Sequence, residues 1–160
     1  MPEEALEIFR RCGMAGLAGT ESAGVAFLMT GLAEMIALLQ MQGEVEEAER
    51  LLPQLTAFTE KIDAHGAHSA RWRYLHAQAL ALAGDSDAAL ERLGLAVDSM
   101  GMPWPVYYVE NDPVFREFRT HPRFKAHVER MRFRQSQIRA RLPKTFDRYG
   151  LAWPPKPAIP

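Results

Sequence analysis

The stretches LLQMQGEVEEAERLLPQL (residues 38–55) and LALAGDSDAALERLGLA (residues 80–96) decide the fold, because they are two copies of one helical pattern. Aligning Gly43 with Gly84 sets the copies 41 residues apart (84 − 43 = 41). In each copy an alanine follows the glycine by five residues and a leucine follows it by nine. The matched pairs are Leu39 with Leu80, Ala48 with Ala89, Leu52 with Leu93, and Leu55 with Ala96.

This spacing has a physical reason in two antiparallel helices. The glycine permits the left-handed backbone of a tight turn between them. The small alanine lets the second helix approach the first closely, and the leucine one turn later fills the groove between them. Each copy therefore predicts a helix, a short turn and a second helix packed against the first.

The rest of the chain also has the composition of an all-α protein. Alternation of β-branched residues is almost absent, and the helix-favouring residues Ala, Leu, Glu, Arg and Gln dominate. Gly43 and Gly84 are placed to end helices, and Ser86 with Asp87 to begin one. Predicted helices cover residues 3–12, 23–42, 45–63, 69–83, 86–100, 113–119, 122–142 and 143–149. The predicted parts are helical repeats over 1–100, a C-terminal helical cap over 101–149 and a Pro-rich tail over 150–160.

The two helical pairs resemble the tetratricopeptide repeat (TPR) over about residues 24–100. Their period of 41 exceeds the family's usual length of about 34. The early aromatic and glycine of the family's first helix are missing, although Trp72 lies near the aromatic position. The resemblance implies antiparallel helix pairs stacked as a short α-solenoid with a C-terminal capping helix. The segment EEALEIFRR resembles a second helix without its first, and from it we expect the chain to be a fragment of a longer protein.

The TPR resemblance also implies a partner-binding groove lined by the first helix of each pair. By position, the lining residues are Thr30, Ala33, Glu34, Ala37 and Met41 from the first pair and Arg71, Tyr74, Gln78 and Leu82 from the second. The lining is mixed and rather apolar, and it lacks the Lys and Asn cluster with which some TPR proteins hold a terminal carboxylate. It therefore favours a protein or helical peptide as partner. Packing against other repeats of the same chain remains the alternative.

The segment NDPVFREFRTHPRF (residues 111–124) reads as two helix starts. Asp112 before Pro113, and Thr120 or His121 before Pro122, match an N-cap followed by a first-position proline. Its phenylalanines, which are Phe115, Phe118 and Phe124, are predicted to turn inward over the open end of the last repeat. The segment resembles the end of the TPR-like region of bacterial signalling proteins that carry winged-helix, nucleotide-cyclase or kinase domains. That resemblance implies a sensory or scaffolding module.

The charge of the chain changes sign at this segment. Residues 1–112 carry seven Lys/Arg and 17 Asp/Glu, whereas residues 113–148 carry 11 and three. The helix 122–142 has an apolar line at Phe124, Val128, Met131, Ile138 and Leu142. Its other faces hold Arg130, Arg132, Arg134, Arg139 and Arg141. These arginines either pair with the acidic repeats or bind an acidic partner, a second subunit or nucleic acid. Nucleic acid is disfavoured because only Phe133 offers a stacking surface.

No enzyme motif is present, and we expect neither catalytic nor cofactor-binding residues. The sequence contains no P-loop, no G-x-G-x-x-G and no G-x-S-x-G. His65 and His68, with Asp63, are the only candidates for a weak metal site, and they lack a further ligand at suitable spacing. The leading expectation is a non-enzymatic protein–protein interaction module, with the basic helix as an electrostatic binder or self-association as alternatives.

The apolar stretch at residues 23–41 has nearly the length of a membrane span. Glu34 lies at its middle, where a carboxylate is costly, and no positive flank follows. We therefore predict a helix buried among other helices. The lone Cys12 and the absence of a secretory signal favour a reducing, cytoplasmic location.

Overall fold

The computed structural model describes residues 23–66, 69–99 and 106–151, without the side chains of residues 23–28 and 30. Across these ranges every regular element is helical, so the all-α prediction is confirmed for this part of the chain. The predicted helix 3–12, Cys12, His68 and tail residues 152–160 lie outside the described residues.

Within these described ranges, six α-helices and one 3-10 helix follow one another. They are α1 (Ala23–Gln42), α2 (Val45–Ala64), α3 (Ala70–Leu82), α4 (Ser86–Ser99), α5 (Val106–Asn111), a 3-10 helix (Pro113–Thr120) and α6 (Pro122–Arg148). The sequence patterns located α1 to α4 closely and missed α5. The predicted break before residue 143 is wrong, because α6 continues through Pro143.

The turns between the paired helices follow the glycine prediction. Gly43 adopts a φ of 81°, and its N–H donates to the carbonyl of Gln40 at 3.2 Å. The next N–H, that of Glu44, donates to Leu39 at 3.0 Å. This pair of bonds is the Schellman arrangement, and the equivalent pair ends α3 at Gly84, whose φ is 84°. The two copies of the sequence pattern therefore share one backbone geometry at their turns.

The predicted start of α4 at residue 86 agrees with the structure, but its N-cap, predicted to be Ser86, is Asp85. The N–H of Ala88 donates to Oδ1 of Asp85 at 3.2 Å, so Asp85 caps α4 and Ser86 is its first helical residue. Asp85 directly follows the left-handed turn glycine, and its carboxylate there reaches the exposed amide.

The segment after α5 contains two capped starts, as predicted. Asp112 Oδ1 accepts from the N–H of Val114 at 2.9 Å and opens the 3-10 helix. His121, rather than Thr120, is the cap of α6, since its Nδ1 accepts from the N–H of Arg123 at 3.2 Å.

The buried side chains form two adjoining clusters. The first lies among α1, α2 and the facing side of α3, and is centred on Ile36, Leu51, Leu55 and Leu75. The second joins α3 and α4 to α5, the 3-10 helix and the first half of α6. The repeat alanines, Ala48 and Ala89, are both buried, as close approach of paired helices requires. Of the two matched leucines, Leu93 is buried and Leu52 only partly so.

The phenylalanines of residues 111–124 turn inward, as predicted. Phe115 and Phe124 are buried in the second cluster, and Phe118 packs against it. The Phe115 ring centroid lies 5.9 Å from those of Phe118 and Phe124 and 5.7 Å from that of Tyr74 on α3. Such distances are those of favourable aromatic pairs, so this segment is firmly packed onto the helix pairs.

Helix α6 changes character along its length. Phe124, Val128 and Met131 are buried, and no residue of α6 after Met131 is buried among the described residues. Ile138, on the same apolar line, is 40% exposed.

None of the helices in the described ranges has the length and apolar character needed to cross a membrane. In α1, the side chains of Leu32, Ile36 and Leu39 are buried within the first cluster instead.

Candidate functional site

The predicted groove side of α1 and α3 is covered by residues of the same chain. The 3-10 helix lies against both α1 and α3. Three predicted groove residues bond either to Tyr108 of α5 or to Asp112, the cap of the 3-10 helix. These three are Glu34 on α1 and Tyr74 and Gln78 on α3.

Asp112 is the centre of this contact. Tyr74 Oη donates to Oδ2 of Asp112 at 2.5 Å, and Nε2 of Gln78 donates to the same oxygen at 2.8 Å. Tyr74 is 1% exposed and Gln78 is 0% exposed. Burial raises the pKa of the Asp112 carboxyl, and its hydrogen bonds oppose that rise. Burial, with the nearby Asp112, raises the pKa of Tyr74, which keeps that hydroxyl protonated as a donor.

A second bond ties α1 to α5. Tyr108 Oη donates to Oε1 of Glu34, which is half-buried in the helix stack. Burial raises the pKa of the Glu34 carboxyl, the Tyr108 bond opposes the rise, and the negative charge of Asp112 adds to it. This carboxylate, predicted from sequence to be costly in a membrane, is stabilised by a tyrosine instead.

The groove prediction is therefore corrected at three positions, the first of which is Ala33, 0% exposed in the first cluster. Tyr74 and Gln78 face the core and bond Asp112, so they offer no surface to a partner. Arg71 is exposed at the edge of this region, and Met41 is 50% exposed. The side chain of Thr30 lies outside the described residues.

A cleft of about 440 Å³ remains open where α1 and α3 end beside the 3-10 helix. Its apolar lining includes Ala37, Met41, Leu82, Val114 and Phe118. The charged side chains of Arg116 and Glu117 also line it. Met41 and Leu82 were both predicted to line the groove, so the cleft is the part of that groove that the described residues leave uncovered.

The predicted basic surface divides into two halves. In the first half the arginines are neutralised by the acidic repeats. Arg130 and Arg134 lie 3.6 and 3.3 Å from Oδ1 of Asp98. Arg132 pairs with Glu110 of α5 and with Glu129. These pairs hold α6 against α4 and α5.

The second half, residues 135–148, is called here the α6 arm. Arg139, Arg141, Lys144 and Arg148 are all exposed in it. Among the described residues, none of these four makes an ion pair, and Asp147 is the one acidic residue of the arm. The arm therefore carries a net charge of +3 (four cations less one anion) that no described acidic group neutralises.

An apolar line runs along the arm. Ile138 follows the buried Met131 by seven residues and Leu142 follows Ile138 by four, which keeps all three on one helix face. Leu142 is partly exposed, and Tyr149, seven residues further, is 71% exposed. On the face that packs into the core at Met131, Ile138 and Tyr149 are thus exposed, whereas Leu142 and Phe146 between them are partly buried.

The candidate metal residues have other partners. Both carboxylate oxygens of Asp63 accept from the guanidinium of Arg92 at 3.0 Å. Nδ1 of His65 lies 2.6 Å from the carbonyl oxygen of Lys61. Within the ranges that the structure describes, no three His, Cys, Asp or Glu side chains gather as a metal site.

Sequence reasoning missed a close approach between α4 and α6. A Cβ at Gly94 would lie 2.9 Å from Cε1 of His127. The histidine is held there, with Nε2 donating to the Leu90 carbonyl at 2.9 Å and Nδ1 accepting from Arg130 at 2.7 Å. A glycine in the middle of a predicted helix was the available signal.

Comparison of the chain with protein-family models, with curated proteins and with solved structures finds no match in any of the three.

Proposed function

We propose that this protein is a non-enzymatic protein–protein interaction module, in which a TPR-like stack of helix pairs presents the α6 arm to an acidic protein partner. One observation carries the proposal: along the single helix α6, apolar burial ends at Met131 and arginine pairing ends at Arg134, yet both residue patterns continue through the arm.

The first half of α6 indicates which surface the apolar line and its flanking arginines fit. There the apolar line is buried in the core, and arginines on its flanks pair with Asp98 and Glu110. The arm repeats that chemistry with Ile138 and Leu142 as the apolar line and Arg139 beside it. A surface that fits the arm should therefore be apolar with acidic edges, which is the helix-in-groove mode of recognition.

The arm favours protein over nucleic acid. Phosphate contacts need the arginines alone, and they leave an adjacent apolar line in water. An acidic protein groove takes both the charges and the apolar line. The exposed Phe133 lies off that line, five residues before Ile138, and the other well-exposed aromatic of this region, Tyr149, is 16 residues away, so the two do not form a run of neighbouring stacking surfaces.

The stack of α1 to α4 supports the TPR-like part of the proposal. Each helix packs on the next along the chain, and the turns that close α1 and α3 have the same geometry 41 residues apart (84 − 43 = 41). With the resemblance of residues 111–124 to signalling proteins, this favours the partner-binding part of a bacterial regulator.

Capture of partners from a native lysate tests the proposal. The full chain is compared with Ile138→Asp, which breaks the apolar line, and with Arg139→Glu/Arg141→Glu, which reverses the charge. Leu95→Asp is the matched control, because Leu95 on α4 is 41% exposed and Ile138 is 40% exposed.

We expect one or more acidic proteins to be retained by the full chain and the control, and to be lost with both arm variants. Capture that survives both arm variants would contradict the proposal. Nucleic acid that is retained by Ile138→Asp, is lost with the charge reversal and binds with steep salt dependence would favour the electrostatic alternative.

A further inference from the structure

We infer that the acidic, apolar surface that the α6 arm fits is present on a second copy of this chain, at the cleft beside Met41. This inference rests on the proposed function and names the partner. It is argued from two surfaces, the α6 arm and the cleft, that the described residues leave unoccupied. Their shapes and charges are complementary.

The cleft offers the apolar part of the match. Met41, Leu82 and Phe118 contribute to its lining, and Met41 is 50% exposed. A volume of about 440 Å³ lies within the range of pockets that take small ligands. It has room for two aliphatic side chains from one helical turn, such as Ile138 and Leu142.

The surroundings of the cleft offer the negative charge. Two helix C-termini, those of α1 and α3, end there, and a helix C-terminus carries a partial negative charge. The first turn of α2 begins four residues after Met41 and contains the exposed Glu46 and also Glu47. Within the lining, Arg116 and Glu117 offset each other. Arg50 pairs with Glu47 at 3.7 Å, so the two helix C-termini and Glu46 supply the negative charge that suits an occupant flanked by arginines.

The arm offers the complementary pattern. Ile138 and Leu142 are one turn apart, about 6 Å along the helix axis, and can enter one cleft together. Arg139 and Arg141 lie on the two sides of this line and would face the acidic surroundings. The chain as a whole shows the same division, with −10 over residues 1–112 and +8 over residues 113–148 (seven less 17, and 11 less three).

The contact would be heterologous, because arm and cleft are different surfaces. Two copies can exchange arms to form a closed pair, or each copy can bind the next in an open chain. In both cases a molecule with a substituted arm keeps an intact cleft, and a molecule with a substituted cleft keeps an intact arm. This property makes the inference testable with two variants.

The experiment is sedimentation velocity of the full chain over a range of concentrations and at two salt concentrations. The arm variant is Ile138→Asp, the cleft variant is Met41→Arg, and Leu95→Asp is the control. The three substituted side chains are all substantially exposed. Circular dichroism with thermal melting verifies that each variant folds.

We expect the wild-type chain and the control to associate, more weakly at high salt. Each variant alone should associate at least about tenfold more weakly, as expected when a central apolar contact is lost. An equimolar mixture of the two variants should form a one-to-one pair, because one intact arm then meets one intact cleft.

Three outcomes would overturn the inference. A wild-type chain that stays monomeric has no such contact. Variants that fail to pair when mixed would indicate arm-to-arm or cleft-to-cleft contact. Association that Met41→Arg leaves intact would mean that the arm binds elsewhere. A monomeric wild-type chain that still captures an acidic lysate protein through Ile138 would contradict the inference and support the proposed function. A chain that neither associates nor captures such a protein would contradict both.

Discussion

Asp112 is the residue on which the covered side of the helix stack depends. Its two carboxylate oxygens cap the 3-10 helix and accept from Tyr74 and Gln78 of α3. Asp112 is 3% exposed, so these bonds form out of water, where an unpartnered polar group is costly. The other amide atom of Gln78, Oε1, is buried and has no hydrogen-bond donor among the described residues.

Removing the Asp112 carboxylate should destabilise the fold strongly. We expect Asp112→Ala to lower the free energy of unfolding by about 3 kcal/mol, because it removes the carboxylate to which the buried Tyr74 hydroxyl and Gln78 amide donate and also removes a helix cap. Urea denaturation measures the loss. Glu117→Ala, at a nearby exposed carboxylate, is the control and should change stability by less than about 0.5 kcal/mol. A small effect at Asp112 would mean that the three bonds are not formed together.

The Glu34 carboxyl predicts a dependence of stability on pH. Its pKa is raised in the folded chain, by burial first, so the folded state holds the proton more tightly than the unfolded state. Wild-type stability should therefore fall as pH rises from the unfolded value of 4.5 through the folded pKa. Glu34→Gln keeps an acceptor for Tyr108 and removes this ionisation.

The unfolding free energy of Glu34→Gln relative to wild type should consequently increase between about pH 4 and pH 7. Chemical denaturation at both pH values measures it, and using the difference between the two chains cancels the titration of other groups. A relative stability that decreases over this interval would contradict the raised pKa.

At the scale of elements, the sequence predicted those helices whose ends and faces are determined by nearby residues. The left-handed glycines, the first-position prolines and the apolar spacing located α1 to α4, the 3-10 helix and the start of α6. Pro143 was expected to end a helix, because it lacks an N–H and crowds the preceding turn. In the structure it lies in the exposed arm, where the helix can adjust its path without disturbing any core contact.

Contacts between distant elements were not predictable from these patterns. Asp112 was recognised as a cap, but its bonds to α3 span 38 and 34 residues and depend on how α5 lies across the stack. The six residues of α5 were missed because so short a helix shows no periodicity. Ile138 was placed on the correct helix face, but a pattern alone cannot tell a buried line from an open one.

The approach of α4 to α6 depends on Gly94. In an open helix Gly→Ala is stabilising by about 1 kcal/mol. Here we expect Gly94→Ala to destabilise by about 1–3 kcal/mol, because the new Cβ would lie 2.9 Å from the His127 ring, which is held by Leu90 and Arg130. Thermal and urea unfolding measure the change.

The double variant Gly94→Ala/His127→Ala separates the clash from helix propensity. Removing the ring should make the Gly94→Ala step neutral or stabilising in that background. If the alanine is equally destabilising with and without His127, the close approach of the two helices is not its cause.

At the scale of the whole molecule, ion pairing and apolar burial are concentrated in the first half of α6 and are scarce in the arm. Asp87 and Asp98 of the repeats, with Glu110 of α5, pair with arginines in the first half of α6, and Phe115 and Phe124 complete the core. Because the groove side is covered, the proposal places the partner-binding surface on the arm and not along the middle of the stack. In this account the residues of the arm serve a partner and contribute little to the fold.

The free energy of unfolding of two variants on one helix face tests that claim most directly. Met131 is 5% exposed and Ile138 is 40% exposed, seven residues apart on α6. Urea denaturation at low protein concentration should show a loss of about 3 kcal/mol or more for Met131→Asp, which buries a carboxylate. Ile138→Asp should stay within about 0.5 kcal/mol of wild type, as expected for an exposed site. A loss for Ile138→Asp as large as that for Met131→Asp would show that the chain itself covers the arm, and it would contradict the account.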